Sequence, residues 1–247
     1  MKYSCLMYHE LSDTSENKFW ITPDAFRQQM EWLTKDGFVS IDLRHLESVN
    51  GERIVLITFD DGHKSNLQAA RIMKELGLVC VFFVVKDLST QDERFLTEAD
   101  IKEIHEMGHI IGVHGKDHNW WCNKTITHLL TDFRETIDWI TNITGEEPIC
   151  CSAPGGRIHK REYQIIRQNF PRMKYIRSSF HDYNDLESLD LNAIGIGNYT
   201  TRESFKKILT LDKWYYAISR TKSKLKDILK DIVFSFYTPV DTYTISK

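Results

Sequence analysis

Ile54 to Phe59 is a near-continuous apolar run that stops abruptly at Asp60-Asp61-Gly62. A strand with one wet face alternates polar and apolar residues. An unbroken run is the pattern of a parallel strand buried on both faces, which needs helices on either side of its sheet. The rest of the chain repeats the theme. Tyr3 to Tyr8, Phe38 to Ile41, Leu78 to Val85, His109 to Val113, Ile149 to Ala153, Met173 to Arg177 and Ala193 to Ile196 read as further strands. Helical patterns fall between them: from the cap Thr22-Pro23-Asp24 to Gly37, then Asp42 to Val49, Ser65 to Leu76, Glu98 to Met107, Lys124 to Thr141, His159 to Asn169, and from Glu203 onward. Strands alternating with helices imply a parallel α/β sheet with right-handed crossovers, and about seven to eight units predict a closed or nearly closed (β/α) barrel. A length of 247 residues suits one such barrel. No repeat, linker or composition break interrupts it, so residues 1–247 read as a single domain. The tail from Thr221, carrying Lys222, Lys224, Lys226 and Lys230, reads as a solvated helix packed on the barrel, followed by a final strand.

Thirty-two Lys and Arg against 35 Asp and Glu leave a net charge of -3, so no global field draws in nucleic acid or an anionic membrane. The longest apolar run, Leu78 to Val85, is far short of the ~18 residues of a membrane span, and Met1 to Cys5 lacks the apolar stretch of a signal peptide. The expectation is a soluble cytoplasmic protein. Five cysteines cannot all pair, and without a CxxC spacing a cysteine zinc site is not expected.

In a parallel barrel, reactive groups gather where strands end, because the loops there converge on one mouth. Three strand ends are unusually polar. The first is Asp60-Asp61-Gly62, where two adjacent carboxylates repel unless a cation is shared, although Asp-Asp-Gly is also an ordinary turn signal. The second is His114-Gly115-Lys116-Asp117-His118, whose two imidazoles, four residues apart, reach one side of a single turn. Asp plus two His is a set that suits zinc and leaves coordination positions open. The third is Pro154-Gly155-Gly156-Arg157: a plain turn by itself, but beside a metal a loop in which glycines let backbone approach a ligand and an N–H donate to an oxyanion.

Taken with Tyr8-His9, these motifs resemble the polysaccharide deacetylase family, also called the NodB-homology or carbohydrate esterase family 4 group, over roughly Tyr3 to Phe205. The resemblance implies a distorted (β/α) barrel and metal-dependent removal of N-acetyl groups from amino sugars, most often with zinc (Zn2+). It implies Asp60 as catalytic base and Asp61, His114 and His118 as metal ligands.

Departures from the family pattern are specific. Gly115 stands where Ser or Thr is usual, and about Ser152 stands where an arginine usually pairs with the base; Arg157 or another arginine is then needed to replace it. The usual C-terminal strand carrying a histidine has no counterpart in Ile232 to Lys247. A permuted branch, resembling poly-N-acetylglucosamine deacetylases, places that strand and histidine at the N-terminus, and Cys5 to Glu10 fits, which makes His9 the expected general acid and His181 the alternative. The weaker alternative for His9 is a satisfied strand-end histidine. Trp120 and Trp121 are placed to stack on a sugar or to pack a helix on the barrel; Trp20, Trp32, Trp139 and Trp214 read as core or loop packing. The expected partner is an N-acetyl amino sugar or glycan used in surface polysaccharide assembly. A formamido sugar or cyclic imide hydrolase, and a catalytically weak glycan-binding barrel, are the alternatives.

Overall fold

The computed structural model describes residues 1–235 except 15, 47, 48, 50 and 52, the side chains of 230–235 excluded. In chain order the elements are β1 (Lys2–Tyr8), β2 (Glu10–Leu11), β3 (Trp20–Ile21), α1 (Pro23–Lys35), β4 (Val39–Ser40), β5 (Ile54–Phe59), α2 (Asn66–Glu75), β6 (Val81–Val84), α3 (Lys86–Gln91), α4 (Glu98–Glu106), β7 (Ile110–Val113), α5 (Ile126–Thr144), β8 (Cys150–Ser152), α6 (Lys160–Asn169), β9 (Tyr175–Arg177), β10 (Asn184–Asp185), β11 (Asp190–Leu191), β12 (Ile194–Gly195), α7 (Arg202–Leu209) and α8 (Lys213–Ser235). Local chemistry sets the helix ends. Thr22, Thr125 and Thr201 cap α1, α5 and α7 with their hydroxyls, Thr97 and Asp100 form a reciprocal capping box on α4, and left-handed Gly145 ends α5.

Eight strands follow one another around the barrel in the order β12-β1-β5-β6-β7-β8-β9-β11, every neighbouring pair parallel. The circle is nearly closed. Strands β11 and β12 lie at its two edges, and among the described residues no ladder joins them. Strand β10 adds to the start of β1 antiparallel, and β4 pairs with the start of β5. This is the distorted α/β barrel that the sequence implies.

Side chains alternate across each strand and so sort into two buried clusters. Leu6, Tyr8, Val55, Ile57, Phe59, Phe82 and Val84 pack against the helices. Cys5, Met7, Leu56, Phe83, Ile110, Cys150 and Tyr175 form the other cluster, inside the barrel. Continuing that second register by two residues per step leads to His9, Asp60, His114, Ser152 and Arg177, which brings the polar strand ends to one mouth. Gly112 belongs to the same inward row, and a Cβ there would come within 2.5 Å of the Phe83 ring.

Two expectations need correction. The expected helix Asp42 to Val49 is not an α-helix in its described residues. Asp42 accepts the Arg44 backbone N–H at 2.9 Å and pairs with the Arg44 guanidinium at 2.7 Å, a local turn that competes with helix formation. Trp214 does not pack in the core; it is 80% exposed on α8. The lysine-bearing tail is helical as expected, but the helix starts at Lys213, and the final strand falls outside the described residues.

Candidate active site

The loop after β5 turns sharply because Asp61 and Gly62 both take left-handed backbone, at φ 73° for each. A non-glycine residue in that region costs ~1–2 kcal/mol and marks a site worth close reading. His118 is a second instance, at φ 59°, and Leu211 is the only other non-glycine one among the described residues. The two bent residues meet. Asp61 Oδ1 lies 3.1 Å from His114 Nε2 and 3.0 Å from His118 Nε2, and one ligand atom from each of the three lies within 4.8 Å of the other two.

His114 is buried, and its Nδ1 lies 2.8 Å from the Ser152 carbonyl. A carbonyl only accepts, so Nδ1 carries a proton, and Nε2 is the nitrogen directed at Asp61. This is how a metal-binding imidazole is normally oriented. Burial works against the Asp61 carboxylate, but the imidazoles of His114 and His118 hold it well below the ordinary range. Burial likewise lowers the His118 pKa, and its bond to Asp61, supported by Asp60 and Asp117, more than reverses this. Two nitrogens and one carboxylate, drawn together and oriented by their surroundings, fit a divalent ion.

Asp60 is buried beside them, its backbone N–H donating to the Tyr8 carbonyl at 2.9 Å. Arg177, itself 1% exposed, donates to both Asp60 oxygens and to the Ser152 hydroxyl through one guanidinium nitrogen. Its other terminal nitrogen reaches Met7 Sδ at 2.9 Å and the Ser178 carbonyl at 3.2 Å, and the Phe83 ring lies 5.1 Å from its centre. The arginine missing from β8 is therefore supplied by β9, not by Arg157. Arg157 lies 5.5 Å over the Trp120 ring. Sequence reading passed over Arg177, although a charge closing the apolar strand Tyr175-Ile176 was a visible signal.

The loop carrying the two histidines is shaped without the usual hydroxyl. Gly115 has φ +84°, where glycine is at ease, and a Cβ would stand 3.2 Å from Trp121 Nε1. Buried Asp132 of α5 accepts the Lys116 backbone N–H at 3.0 Å and the Lys124 ammonium at 2.6 Å, and Lys124 also holds Asp117 at 2.6 Å. Trp121 is wholly buried against Phe133, so its packing role is the observed one. Trp120 instead lies over the glycine loop, where a Cβ on Gly155 would meet its Nε1 at 2.6 Å. Pro154, Gly155 and Gly156 form a tight turn beside the histidine loop. The Gly156 N–H donates to the Ala153 carbonyl at 2.8 Å.

His9 directly follows β1, with a buried Nδ1 that has no partner, and its ring packs 5.1 Å from Phe19. Asn66 holds its backbone carbonyl at 2.7 Å. With Asp61 it lines a 260 Å³ cleft whose other walls include Glu10, Phe19, Trp20, His63 and Phe95. Burial lowers the His9 pKa, Asp60 and Asp61 oppose this, and Arg177 and His114 add to it. Trp20, read from the sequence as core or loop packing, lines this cleft, and His63 was not singled out, although it directly follows Asp60-Asp61-Gly62. His181 lies elsewhere: its backbone N–H donates to Ser223 of α8 at 3.2 Å, and burial, aided by Lys226, lowers its pKa to about 4.

The model of the polysaccharide deacetylase family matches residues 47–170. The Bacillus subtilis (strain 168) protein YxkH, provisionally designated a polysaccharide deacetylase, is 27% identical over 166 residues, covering 64% of this chain. The chain spans 58% of that relative's length. The Streptococcus pyogenes deacetylase PplD, solved with acetate, superposes with a TM-score of 0.77 at 20% identity, over 85% of this chain and 98% of its own. IcaB from Ammonifex degensii gives 0.73 at 20% identity, over 87% and 97%. At those identities the solved structures speak for the barrel alone.

Proposed function

Since this chain belongs to the polysaccharide deacetylase family, we propose that it is a metal-dependent N-deacetylase acting on an N-acetylated amino sugar within a glycan, in the assembly of a surface polysaccharide. The observation that carries this reading is the convergence of Asp61, His114 and His118 beside an arginine-held Asp60. Relatives named as deacetylases, one of them holding acetate, support the acyl group chosen.

Asp61, His114 and His118 would hold the ion, and imidazole with carboxylate suits zinc. A zinc ion there would supply Lewis-acid polarisation of the acetyl carbonyl and would lower the pKa of water toward ~7. The chain's own residues do the rest. Asp60 takes the proton from the attacking water as general base, and Arg177 fixes the direction of its carboxylate. His9, which follows β1 as Asp60 follows the neighbouring β5 and which shares the cleft with Asp61, gives a proton to the leaving amine. Burial favours its neutral form, so the proton it gives to the amine is the one Asp60 has taken from the water, and the pair together move one proton from water to amine. Phe19, Trp20 and Phe95 offer ring faces on which the sugar stacks, and Trp120, held over the glycine loop, offers one on the other side.

One paired measurement tests the reading: bound metal in the purified protein after divalent ions are supplied, and acetate released from N-acetylglucosamine oligomers. Metal with acetate is the expected result. Metal with a different released acid would move the substrate to another small amide. A protein that takes up no ion would leave a glycan-binding barrel.

A further inference from the structure

Five of the ten large hydrophobic residues exposed among the described residues sit on one helix. Trp214, Ile218, Leu225, Ile228 and Leu229 of α8 are each more than half exposed. At 3.6 residues per turn they fall within an arc of about 100°, a continuous apolar stripe. The opposite face of α8 is the one that packs on the barrel: Tyr216, Ser219 and Ser223 are buried, Tyr216 hydroxyl lies 2.9 Å from Ser4 Oγ, and Ser223 Oγ accepts from His181. Arg220 is turned inward as well, to Asp182 at 3.4 Å. The stripe is therefore the outward face, not a core face waiting for its own barrel.

Exposed lysines flank it on both sides, Lys222 on one and Lys213 and Lys224 on the other, with Lys226 beyond Lys222. The exposed acid among the described side chains of α8, Asp227, lies away from the stripe. A net charge of -3 over the whole chain thus conceals a strongly basic helix. Charge complementarity selects the occupant. A second copy of α8 laid antiparallel on the first would set lysine row against lysine row, whereas an anionic lipid surface meets both rows with phosphate. Tryptophan at one end of such a stripe matches the headgroup boundary.

We propose that α8 lies in the plane of an anionic phospholipid bilayer, with Trp214, Ile218, Leu225, Ile228 and Leu229 entering the acyl boundary and Lys213, Lys222, Lys224 and Lys226 among the headgroup phosphates. No described helix is long and apolar enough to cross a membrane, so the contact is peripheral. It carries the barrel to the surface without using any residue of the cleft.

Flotation of the full chain with vesicles tests this. The protein is expected to rise with vesicles of equal parts phosphatidylglycerol and phosphatidylcholine, to stay behind with phosphatidylcholine alone, and to be released by added salt. The variant Ile218→Ser/Leu225→Ser/Ile228→Ser, and separately Lys222→Glu/Lys224→Glu/Lys226→Glu, should each partition at least ~10²-fold more weakly, given about fivefold per lysine near a charged surface. Both should keep the wild-type melting temperature. Failure of the wild-type protein to float with anionic vesicles overturns the proposal, as does unaltered binding by the glutamate variant. A dimer in sedimentation velocity that the serine variant dissolves, with no flotation, would assign the stripe to a second copy instead.

Discussion

Arg177 and Ser152 are register partners on the adjacent parallel strands β9 and β8, and one guanidinium nitrogen of Arg177 bonds both the Ser152 hydroxyl and the carboxylate of Asp60. Partners in a parallel ladder point to the same face, so an arginine at either position reaches the same carboxylate. Arg177→Ser should leave Asp60 buried without its cation, lowering stability by ~3–5 kcal/mol and turnover by at least ~10²-fold. The exchanged pair Ser152→Arg/Arg177→Ser should recover part of both, read by thermal melting and acetate release. A double variant no better than Arg177→Ser would show that the strand of origin matters.

The twin carboxylates should separate by substitution. Asp61→Asn, His114→Ala and His118→Ala are expected to abolish metal uptake. Asp60→Asn should keep it and lose ~10²- to 10⁴-fold in turnover. Metal analysis beside steady-state kinetics checks this, and equal metal loss in Asp60→Asn would defeat the division of roles.

Between the two candidate acids the geometry favours His9, which shares a cleft with Asp61 while His181 leans on α8. His9→Ala is expected to retain metal and to lose ~10²- to 10⁴-fold on an N-acetyl sugar, but much less on an activated ester whose leaving group needs little protonation. His181→Ala should turn over near the wild-type rate. The reverse ranking would move the acid to the loop after β9.

His181 also sets a pH response of the fold. Its pKa falls from an ordinary 6.5 to about 4, chiefly through burial, so the unfolded chain binds the extra proton first. Stability is then whole above pH 6.5 and declines as pH drops from 6.5 toward 4, by ~1–3 kcal/mol. Melting curves across that window should flatten in His181→Gln. An unchanged slope would place the response on other histidines.

How much of this was legible in the chain depends on range. The barrel was, because a strand such as β5 is buried at all six positions and announces itself as an apolar run. The aspartate pair and histidine pair were, because each ligand set is local in sequence. Helix α3 was missed because Lys86–Gln91 carries no apolar period, and Asp42 to Val49 was misread because its Asx turn imitates a helix start. Arg177 lies 117 residues from Asp60, and only the sheet order says that they meet.

Asp61 and His118 hold left-handed backbone without the licence of glycine. The surrounding fold keeps them there: the Gly62 carbonyl is tied to the Leu96 N–H at 2.8 Å, and the histidine loop to α3 through the Lys116 carbonyl and the Asp87 N–H, also at 2.8 Å. Their loss of freedom consequently belongs to the folding of the barrel and not to the arrival of an ion. For the ion proposed at this site, chelation and reloading should then resemble a key entering a cut lock, proceeding in the native state with no excursion through an unfolded one.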